Sequence, residues 1–490
     1  MNKTFNQLKS ERLKKIRALK KAGFNPYPSK TERTCGNSEA TANFKKFARS
    51  KIKLAGRLTA VRGHGGLLFV DLEDESGKIQ LALKKNVLGN KIFELFQNNL
   101  ERGDFVQAEG KLFLTRAGEK TLEVSNIKLL AKTLHPLPEK WAGLKNEEIR
   151  YRKRYLDLLS NAKTRDRFRK RAIFINLLRE FLISNKFLEV ETPVLQDVAG
   201  GAIAKPFKTR HNTLKQDFYL RIAPELYLKR LLVGGYERVF EFARCFRNEG
   251  ISPQHNPDYT SLEFYWAYAD YEKMMRFTEK MLSKIIPRIT GSLKVKFQGN
   301  VYNFKPPYRK IRYSDLIKKE LKISINNIDR KKLLKIIKDK KIKISGGVSR
   351  LSDIKLLEEI YKKTIRPKLL GPLFLLDYPK EMIPLAKTKD DNPNLIATFQ
   401  LIVNGWEIVK AYNELNDPKE QEERFNEQMK ARKLGDKEAH AQDRDFIEAL
   451  SYGMPPAAGW GMGIDRLLVI LLNQKNIRDV ILFPLRRIKK

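Results

Sequence analysis

The sequence has little cysteine, no long apolar run and few acidic residues, and each shortage excludes a class of protein. It contains 2 cysteines in 490 residues, Cys35 and Cys245. They are far apart and neither belongs to a Cys-x-x-Cys pair, so we expect no disulfide framework and no thiolate metal site. No apolar stretch approaches the roughly 18 residues of a membrane span, and the basic residues 1–15 lack the apolar centre of a signal peptide. We expect a reducing compartment, the cytoplasm, and no membrane.

Basic residues outnumber acidic ones by a wide margin. Lys and Arg number 97 against 57 Asp and Glu, which gives a formal net charge of +40. A surface of that sign attracts polyanions, of which nucleic acid is the obvious example. Much of the excess is lysine accompanied by isoleucine and asparagine, which is also typical of compositional drift with a solvated basic surface. Charge alone leaves both interpretations open.

The first part of the chain has the pattern of a small β-barrel. Residues 5–21 are predicted to form a basic helix. Beyond them, five short strands alternate apolar and polar residues between punctuating glycines. They are predicted at 52–59, 67–72, 77–83, 105–113 and 120–130. A helical stretch, 86–101, separates the third strand from the fourth, where a five-stranded oligonucleotide-binding (OB) barrel carries its helix.

Three side chains of this barrel suit nucleic-acid binding. Arg62 follows the first predicted strand, Phe69 lies on the second and Gln80 on the third. They supply a charge for phosphate, an aromatic face for stacking and an amide for base edges. A core phenylalanine accompanied by two surface polar residues explains the same three positions equally well.

An aromatic hairpin is the most informative segment. With the two-residue period of a strand, 239–247 and 259–268 each place apolar residues on one side. The other side carries the polar residues Glu241, Arg247, Glu263 and Tyr265. Such a face suits a small zwitterion and a phosphate better than a plain core. An ordinary amphipathic hairpin is the alternative that the alternation permits.

The remaining segments complete an α+β pattern. Residues 163–185 predict an amphipathic helix, and the strand after it ends at Pro193 because proline donates no ladder hydrogen bond. The lysine-rich stretch 314–368 predicts an inserted helical bundle without a part in the chemistry. Asn404-Gly405 between apolar runs predicts a two-residue hairpin turn. The glycines of 459–466 allow close approach of a ligand before a helix, and a tight turn explains them as well.

Taken in order, these segments resemble the class II aminoacyl-tRNA synthetases, and within them the lysyl-tRNA synthetases. The three class II motifs correspond to 187–193, 246–265 and 459–466, and lysine-type signatures to 200–207, 219–226 and 413–417. The resemblance covers nearly the whole chain. It implies an α+β fold in a homodimer, with an N-terminal five-stranded OB-type barrel before an antiparallel sheet flanked by helices.

The resemblance also implies the domain organisation. We expect a basic helical segment at 1–45, an OB-fold anticodon-binding domain at 46–133 and a linker at 134–165. A class II catalytic domain would follow at 166–490, with the helical insertion at about 314–368.

The implied activity is ligation of lysine to tRNA(Lys) through a lysyl-adenylate made from ATP, and the resemblance assigns residues to each step. The catalytic residues would be Arg247, Glu249 and Arg466. ATP would be held by Arg247, Glu249, His255, Asn256, Tyr259, Glu407 and Arg466. Lysine would be bound by Gly201, Glu225, Arg247, Glu263, Tyr265, Tyr412 and Glu414. The anticodon would meet Arg62, Phe69 and Gln80. Glu407 would bind Mg²⁺.

This chain departs from the family's pattern at three positions. Gln400 stands where a magnesium-binding glutamate is common, and Lys410 stands where an asparagine is usual. Ala199 replaces a proline that often precedes the glycine pair. Because a carboxamide is a poorer Mg²⁺ ligand than a carboxylate, the number of metal ions stays open.

The strand after the Asn404-Gly405 turn is predicted to be irregular. In a regular strand, side chains alternate between the two faces, so Glu407 would lie on the opposite face from Lys410, Tyr412 and Glu414. If all four line one pocket, a β-bulge must fall near Ile408-Val409.

Three other functions are compatible with parts of the pattern. A sibling synthetase for aspartate or asparagine would share the barrel and the motifs, but Glu414 would repel an acidic side chain. A catalytically silent RNA-binding relative would not need Arg247, Glu249 and Arg466. A paralogue that lysylates a protein would be expected to lack the barrel.

Overall fold

The structure is a computed structural model that describes residues 5–137, 144, 146–344, 347–433 and 442–487. The chain divides into two compact units, 1–144 and 145–490, and each has apolar core clusters of its own. In the part of the chain described, no helix has the length and apolar character needed to cross a membrane.

The first unit is a closed five-stranded barrel with the order β1-β2-β3-β5-β4. Its strands are β1 (Ile52–His64), β2 (Leu67–Glu73), β3 (Lys78–Lys84), β4 (Phe105–Leu114) and β5 (Lys120–Ala131). Its helices are α1 (Phe5–Lys21), α2 (Asn37–Ala42), α3 (Phe44–Phe47), α4 (Lys85–Leu88) and α5 (Asn90–Asn99). The alternation in β2 buries Leu68, Val70 and Leu72 inside the barrel. The prediction of an OB-type barrel with a helix between the third and fourth strands is confirmed.

The first strand is longer than predicted. It pairs with β4 from Ile52 to Arg57 and then with β2 as far as His64. A register shift between Leu58 and Ala60 bends it from one neighbour to the other. Arg62 therefore lies on the strand and not after it. The predicted helix at 86–101 is two helices, because the chain breaks at Gly89 with a φ of +81°.

The second unit is built on an eight-stranded sheet with the order β14-β15-β16-β17-β18-β11-β10-β6. The strands of this unit are β6 (Leu188–Glu189), β7 (Leu195–Gln196), β8 (Phe207–His211), β9 (Gln216–Leu220), β10 (Arg238–Phe246), β11 (Asp258–Ala267), β12 (Lys294–Phe297), β13 (Asn300–Asn303), β14 (Arg309–Arg312), β15 (Leu373–Leu376), β16 (Thr398–Val403), β17 (Trp406–Asn413) and β18 (Ala457–Gly463). The inner pairs are antiparallel, and the two edge pairs are parallel.

Helices flank this sheet, as predicted. They are α6 (Glu147–Arg152), α7 (Arg154–Ser160), α8 (Ala162–Ser184), α9 (Glu225–Val233), α10 (Tyr271–Thr290), α11 (Tyr313–Leu321), α12 (Arg330–Asp339), α13 (Asp353–Ile360), α14 (Pro418–Lys433), α15 (Arg444–Ser451) and α16 (Ile464–Leu471). A π-helical turn, Tyr361–Ile365, continues α13. Short 3₁₀ turns occur at Val348–Arg350, Arg366–Lys368, Lys380–Met382 and Ile477–Asp479.

The apolar side of the hairpin packs against α10. Phe264 stacks on Trp460 with ring centroids 4.5 Å apart, and Phe277 of α10 meets Phe264 at 5.6 Å. Trp460 Nε1 donates to Thr278 Oγ1 at 2.9 Å. Because this side is filled by aromatic packing, the polar side of the same strands is free to form a site.

Both predictions for the β16–β17 hairpin are confirmed. Asn404 and Gly405 form the turn with φ values of +52° and +69°, as a two-residue hairpin demands. Leu401 pairs with Val409 and Ile402 with Glu407, so Ile408 is the extra residue of a bulge. The bulge brings Glu407 onto the same side as Lys410 and Tyr412.

One local expectation was wrong, and one alternative is excluded. Residues 187–193 form only the two-residue edge strand β6, because this segment has a single neighbour in the sheet. The glycine-rich segment is the inner strand β18 and not a tight turn. It pairs with both β11 and β17, so its glycines make room between strands.

Candidate active site

A cavity of about 770 Å³ opens on the polar side of the eight-stranded sheet. Residues of β11, β16, β17 and β18 form its floor, and α9 and α13 contribute walls. The predicted residues on its lining are Gly201, Glu225, Arg247, Glu249, His255, Asn256, Tyr259, Glu263, Tyr265, Glu407, Tyr412 and Arg466. The cavity therefore brings together the whole predicted lysine and ATP set except Glu414.

Glu414 lies beneath the floor of the cavity. It is 1% exposed, and its carboxylate lies against Gly459, which is on the lining. A Cβ added at Gly459 would lie 2.0 Å from Glu414 Oε1 and 2.6 Å from Tyr265 Cε1. The missing side chain of this glycine leaves the carboxylate next to the cavity.

Replacing Gly459 by alanine is expected to lower the free energy of unfolding by about 1–3 kcal/mol, because the added methyl overlaps Glu414. Gly461→Ala is the matched control on the same strand, since its Cβ would meet nothing closer than Glu263 Cγ at 3.5 Å. Urea unfolding of both variants measures the difference. Equal unfolding midpoints for the two variants would show that the structure around Gly459 moves enough to accept the added methyl group.

A buried lysine that sequence reasoning missed accompanies Glu414. Lys229, on α9, is fully buried and forms ion pairs with Glu414 and with Glu225 Oε1, the latter at 2.7 Å. Glu225 Oε1 also accepts a hydrogen bond from the Tyr412 hydroxyl at 2.7 Å. In the sequence, Glu225 and Lys229 have the spacing of an ordinary surface pair on a helix, so no local signal marks them.

Carboxylates crowd this end of the cavity. Burial, with Glu225 nearby, raises the pKa of Glu263 to about 8, and Ser261 Oγ donates to Glu263 Oε1 at 3.3 Å. Burial also raises the pKa of Glu414, although Lys229 opposes the shift. Glu225 and Glu414 share the Lys229 ammonium and Glu263 lies close to Glu225, so this end of the cavity is suited to further cations.

Arg247 and Arg466 bring positive charge to another part of the cavity lining. Its guanidinium carbon lies 5.3 Å from the Tyr259 ring centroid, and its buried Nε has no hydrogen-bond partner among the described residues. Arg466 lines the same region, where its Nη1 donates to Glu407 O at 3.2 Å and its Nε to Gln254 O at 3.3 Å. A buried guanidinium with an unused donor is suited to an anionic ligand.

The neighbouring loop presents neutral polar groups. Burial, with Arg466 and Arg247 nearby, lowers the pKa of His255 to about 4, so the imidazole is uncharged near neutral pH. Its Nδ1 lies 2.8 Å from Ser252 Oγ. Asn256 Nδ2 donates to the Asp258 backbone oxygen at 2.8 Å and to its carboxylate at 2.7 Å. These contacts orient both side chains before any ligand binds.

The lysine-rich insertion takes part in the site, contrary to expectation. Five of its charged side chains line the cavity: Lys355, Glu358, Glu359, Lys362 and Arg366. They lie on α13 and the turns that follow it. Their helical spacing in a lysine-rich stretch is that of a solvated face, and only the fold brings them over the sheet.

Glu241 is absent from the cavity lining, although the hairpin alternation placed it with Arg247 and Glu263. It is 3% exposed and ion-pairs with Arg221, and Thr192 Oγ1 donates to its Oε2 at 2.6 Å. Glu241 stands opposite Glu263 in the ladder. A cation from a neighbouring segment neutralises it and makes it structural.

The three barrel residues lie on one outer face. Arg62 stands opposite Phe69, and Asp71 stands opposite Gln80 on the next pair of strands. Phe69 is half-buried and outside the barrel core, so its interpretation as a core residue is wrong. Arg62 Nη2 pairs with Asp71 Oδ1 at 2.6 Å, and Gln80 Oε1 accepts from Thr121 Oγ1 at 2.8 Å. An aromatic ring thus lies between a cation and an amide.

Comparison with known proteins connects this geometry to a family. Residues 146–487 match the sequence profile of the tRNA synthetases class II (D, K and N). Residues 52–130 match that of the OB-fold nucleic acid binding domain.

Curated relatives match over almost the full length. A lysine–tRNA ligase of Carboxydothermus hydrogenoformans is 44% identical over 483 residues, covering 98% of both chains. One from Moorella thermoacetica is 44% identical over 490 residues, covering 99% of both. One from Aquifex aeolicus is 48% identical over 437 residues, covering 88% of this chain and 72% of that protein. The chain therefore belongs to the class II tRNA synthetases, in the lysine–tRNA ligase family.

Proposed function

We propose that this protein is an ATP-dependent lysine–tRNA ligase, which makes lysyl-adenylate and transfers the lysyl group to the 3′ end of tRNA(Lys). The observation that carries the proposal is the polarity of the cavity. Arg247 has an unused guanidinium donor, which is suited to an anion. Glu225 and Glu263 lie on the same lining, and their carboxyl groups are suited to cations.

Lysine fits this polarity by charge. Glu225 and Glu414 pair with a single resident ammonium, that of Lys229, and Glu263 lies close to Glu225, while lysine brings two ammonium groups. We place its α-amino group at Glu225, Glu263 and the backbone of Gly201. We place its ε-ammonium at Glu414 and the Tyr265 hydroxyl, with Tyr412 against its aliphatic stem. An ammonium buried without a partner costs several kcal/mol, roughly, and these carboxylates remove that cost.

The first chemical step needs alignment more than proton transfer. The carboxylate of lysine is already an ionised nucleophile at neutral pH, so it attacks the α-phosphate of ATP once the two anions are held together. Arg247 would hold both and neutralise the charge that develops between them. Glu249, His255, Asn256 and Tyr259 would bind the nucleotide, and Arg466 the outer phosphates. The lysyl group then passes from the adenylate to the terminal ribose of the tRNA.

Glu407 fits one Mg²⁺ ion carried by ATP. Its carboxylate is on the cavity lining, and Mg²⁺ is commonly held by one carboxylate together with substrate phosphates. When bound, the ion would neutralise phosphate charge.

Lysine affinity is expected to rise with pH. The pKa of Glu263 is raised to about 8, so its carboxyl is protonated at neutral pH and must lose that proton to pair with an ammonium. The Kd for lysine should then fall about tenfold between pH 6 and pH 7. Calorimetry in buffers of different ionisation enthalpy measures both the affinity and the released proton. Glu263→Gln should lose its share of the slope and leave only what Glu414 contributes, because burial raises the pKa of that carboxyl as well. An unchanged slope would contradict the assignment.

The anticodon is proposed to contact the outer face of the barrel. Phe69→Ala is expected to weaken tRNA(Lys) binding by about 1–3 kcal/mol through the lost stacking, without changing pyrophosphate exchange. Phe44→Ala, at a half-buried aromatic on α3, is the control. Filter binding of labelled tRNA compares the two variants, and equal affinities would exclude this face.

We also propose a homodimer. Large apolar side chains are exposed on α8 and on the segment after it, namely Ile173, Ile183, Leu188, Val194 and Leu195. Exposed apolar clusters of this kind are typical of subunit interfaces. Light scattering that gives the monomer mass of 57.0 kDa at micromolar concentration would contradict this.

The two unpaired cysteines agree with the predicted cytoplasmic location.

Pyrophosphate exchange into ATP, run with a panel of amino acids, tests the function. Exchange that depends on lysine supports the proposal. Exchange with aspartate or asparagine would identify a sibling synthetase, and exchange with none a catalytically silent relative.

A further inference from the structure

The part of the cavity around Glu407 is rich in cations. Four cations, Lys410 foremost, act on the carboxylate of Glu407. The other three are Arg466, Arg366 and Lys362. Among the described residues, no group of three or more carboxylate, imidazole or thiol side chains is arranged to hold a metal ion. The surroundings of Glu407 therefore offer several positive charges and no cluster of metal-binding side chains among the described residues.

Gln400 and Lys410 stand directly opposite each other on β16 and β17, and both line the cavity. The Tyr378 hydroxyl donates to Gln400 Oε1 at 2.7 Å, so the oxygen that a metal would need is already engaged. The amide nitrogen that remains is a donor. Neither residue of this cross-strand pair is suited to bind Mg²⁺, and both are suited to bind phosphate oxygens.

The bulge at Ile408 brings Lys410 to the same wall as Glu407. Lys410 Nζ lies 5.9 Å from the Tyr412 ring centroid, on the side of the cavity where the lysine pocket begins. An ammonium in this place is a compact charge that can neutralise a phosphate without bringing ligands of its own. It also repels any further cation in the same space.

We propose that Lys410 is a resident cation that takes the place of a second divalent ion on the ATP phosphates, so that this enzyme works with one Mg²⁺. The inference rests on the proposed function, because it concerns the nucleotide of that reaction. Gln400 assists by offering a donor where a second ion would require a carboxylate.

Counting bound ions tests this without relying on activity. Mn²⁺ is titrated by electron paramagnetic resonance into the full-length enzyme saturated with a non-hydrolysable ATP analogue. The wild type is expected to bind one Mn²⁺ per active site. The double variant Gln400→Glu/Lys410→Asn restores a carboxylate and removes the ammonium, and it is expected to bind two. Lys410→Arg, which keeps the charge, should still bind one.

Two or more ions in the wild type would overturn the proposal, as would one ion in the double variant. The wild-type count is decisive even if the double variant folds poorly. Fold retention is checked by thermal unfolding, since a glutamate at position 400 still accepts from Tyr378. A Lys410→Asn variant that changes only the Kd for lysine would assign Lys410 to the amino acid and also overturn the proposal. The Mn²⁺ count is made without lysine, so it does not depend on lysine-dependent pyrophosphate exchange. Failure of the one-ion proposal can therefore be distinguished from failure of the proposed function.

Discussion

Arg247→Ala is expected to lower kcat/KM for lysine-dependent pyrophosphate exchange by about a thousandfold. Loss of one preorganised donor to a developing charge costs about a hundredfold to a thousandfold in comparable sites, and Arg247 would serve two anions at once. Its buried Nε lacks a partner among the described residues, so its stabilising energy is available to the ligand. The measurement is exchange at saturating ATP with lysine varied.

Arg244→Ala is the matched control for Arg247. Arg244 lies on β10, just before Arg247 in the chain, but off the cavity lining, and it pairs with Asp258 and Thr260 at a half-exposed position. Pairs of that exposure contribute little, so the control is expected to stay within a few-fold of wild type. Arg247→Lys should fall between the two, because it keeps the charge and loses the paired donors. If the two alanine variants behave alike, Arg247 does not join the two anions.

Glu414→Gln is expected to raise the Kd for lysine by about a hundredfold or more. The change keeps the shape of the side chain and removes the negative charge that would meet the ε-ammonium. Removing one partner of a buried ion pair costs about 3–5 kcal/mol, and the bound substrate would lose a comparable interaction. Isothermal titration with lysine, arginine and ornithine measures both the affinity and the selectivity.

The ion pair between Lys229 and Glu414 allows a second result, in which Glu414 is only structural. If Glu414 serves only to pair with Lys229, then Glu414→Gln would lower the unfolding midpoint and leave lysine affinity unchanged. Glu241→Gln is the control for that purely structural effect, since Glu241 is equally buried and pairs with Arg221 away from the cavity. It is expected to reduce stability without altering amino-acid selectivity.

Local patterns in the chain were sufficient for most of the architecture. A two-residue period marks strands because their side chains alternate between faces, and it located the barrel and the β10–β11 hairpin. The same parity, applied to Glu407 and Lys410, predicted the bulge near Ile408-Val409. Asn-Gly marked the turn because both residues tolerate positive φ.

Contacts between distant segments were beyond such patterns. Lys229 resembles one half of a surface pair on a helix, and Glu241 resembles a pocket residue. Lys229 does pair with Glu225, but its second partner, Glu414, and the partner of Glu241, Arg221, come from other elements of the fold. The charged residues of α13 have the spacing of a solvated helix face in the sequence. In the folded chain they line the cavity beside the sheet.

Periodicity and short motifs therefore established which strands, turns and candidate residues this chain possesses, since those features depend on neighbours a few positions away. Folding alone settled which charges neutralise each other, which carboxylate lies behind a glycine and which lysine lines the cavity beside Glu407. Those outcomes depend on burial, because the strength of an electrostatic interaction is set by what surrounds it in space.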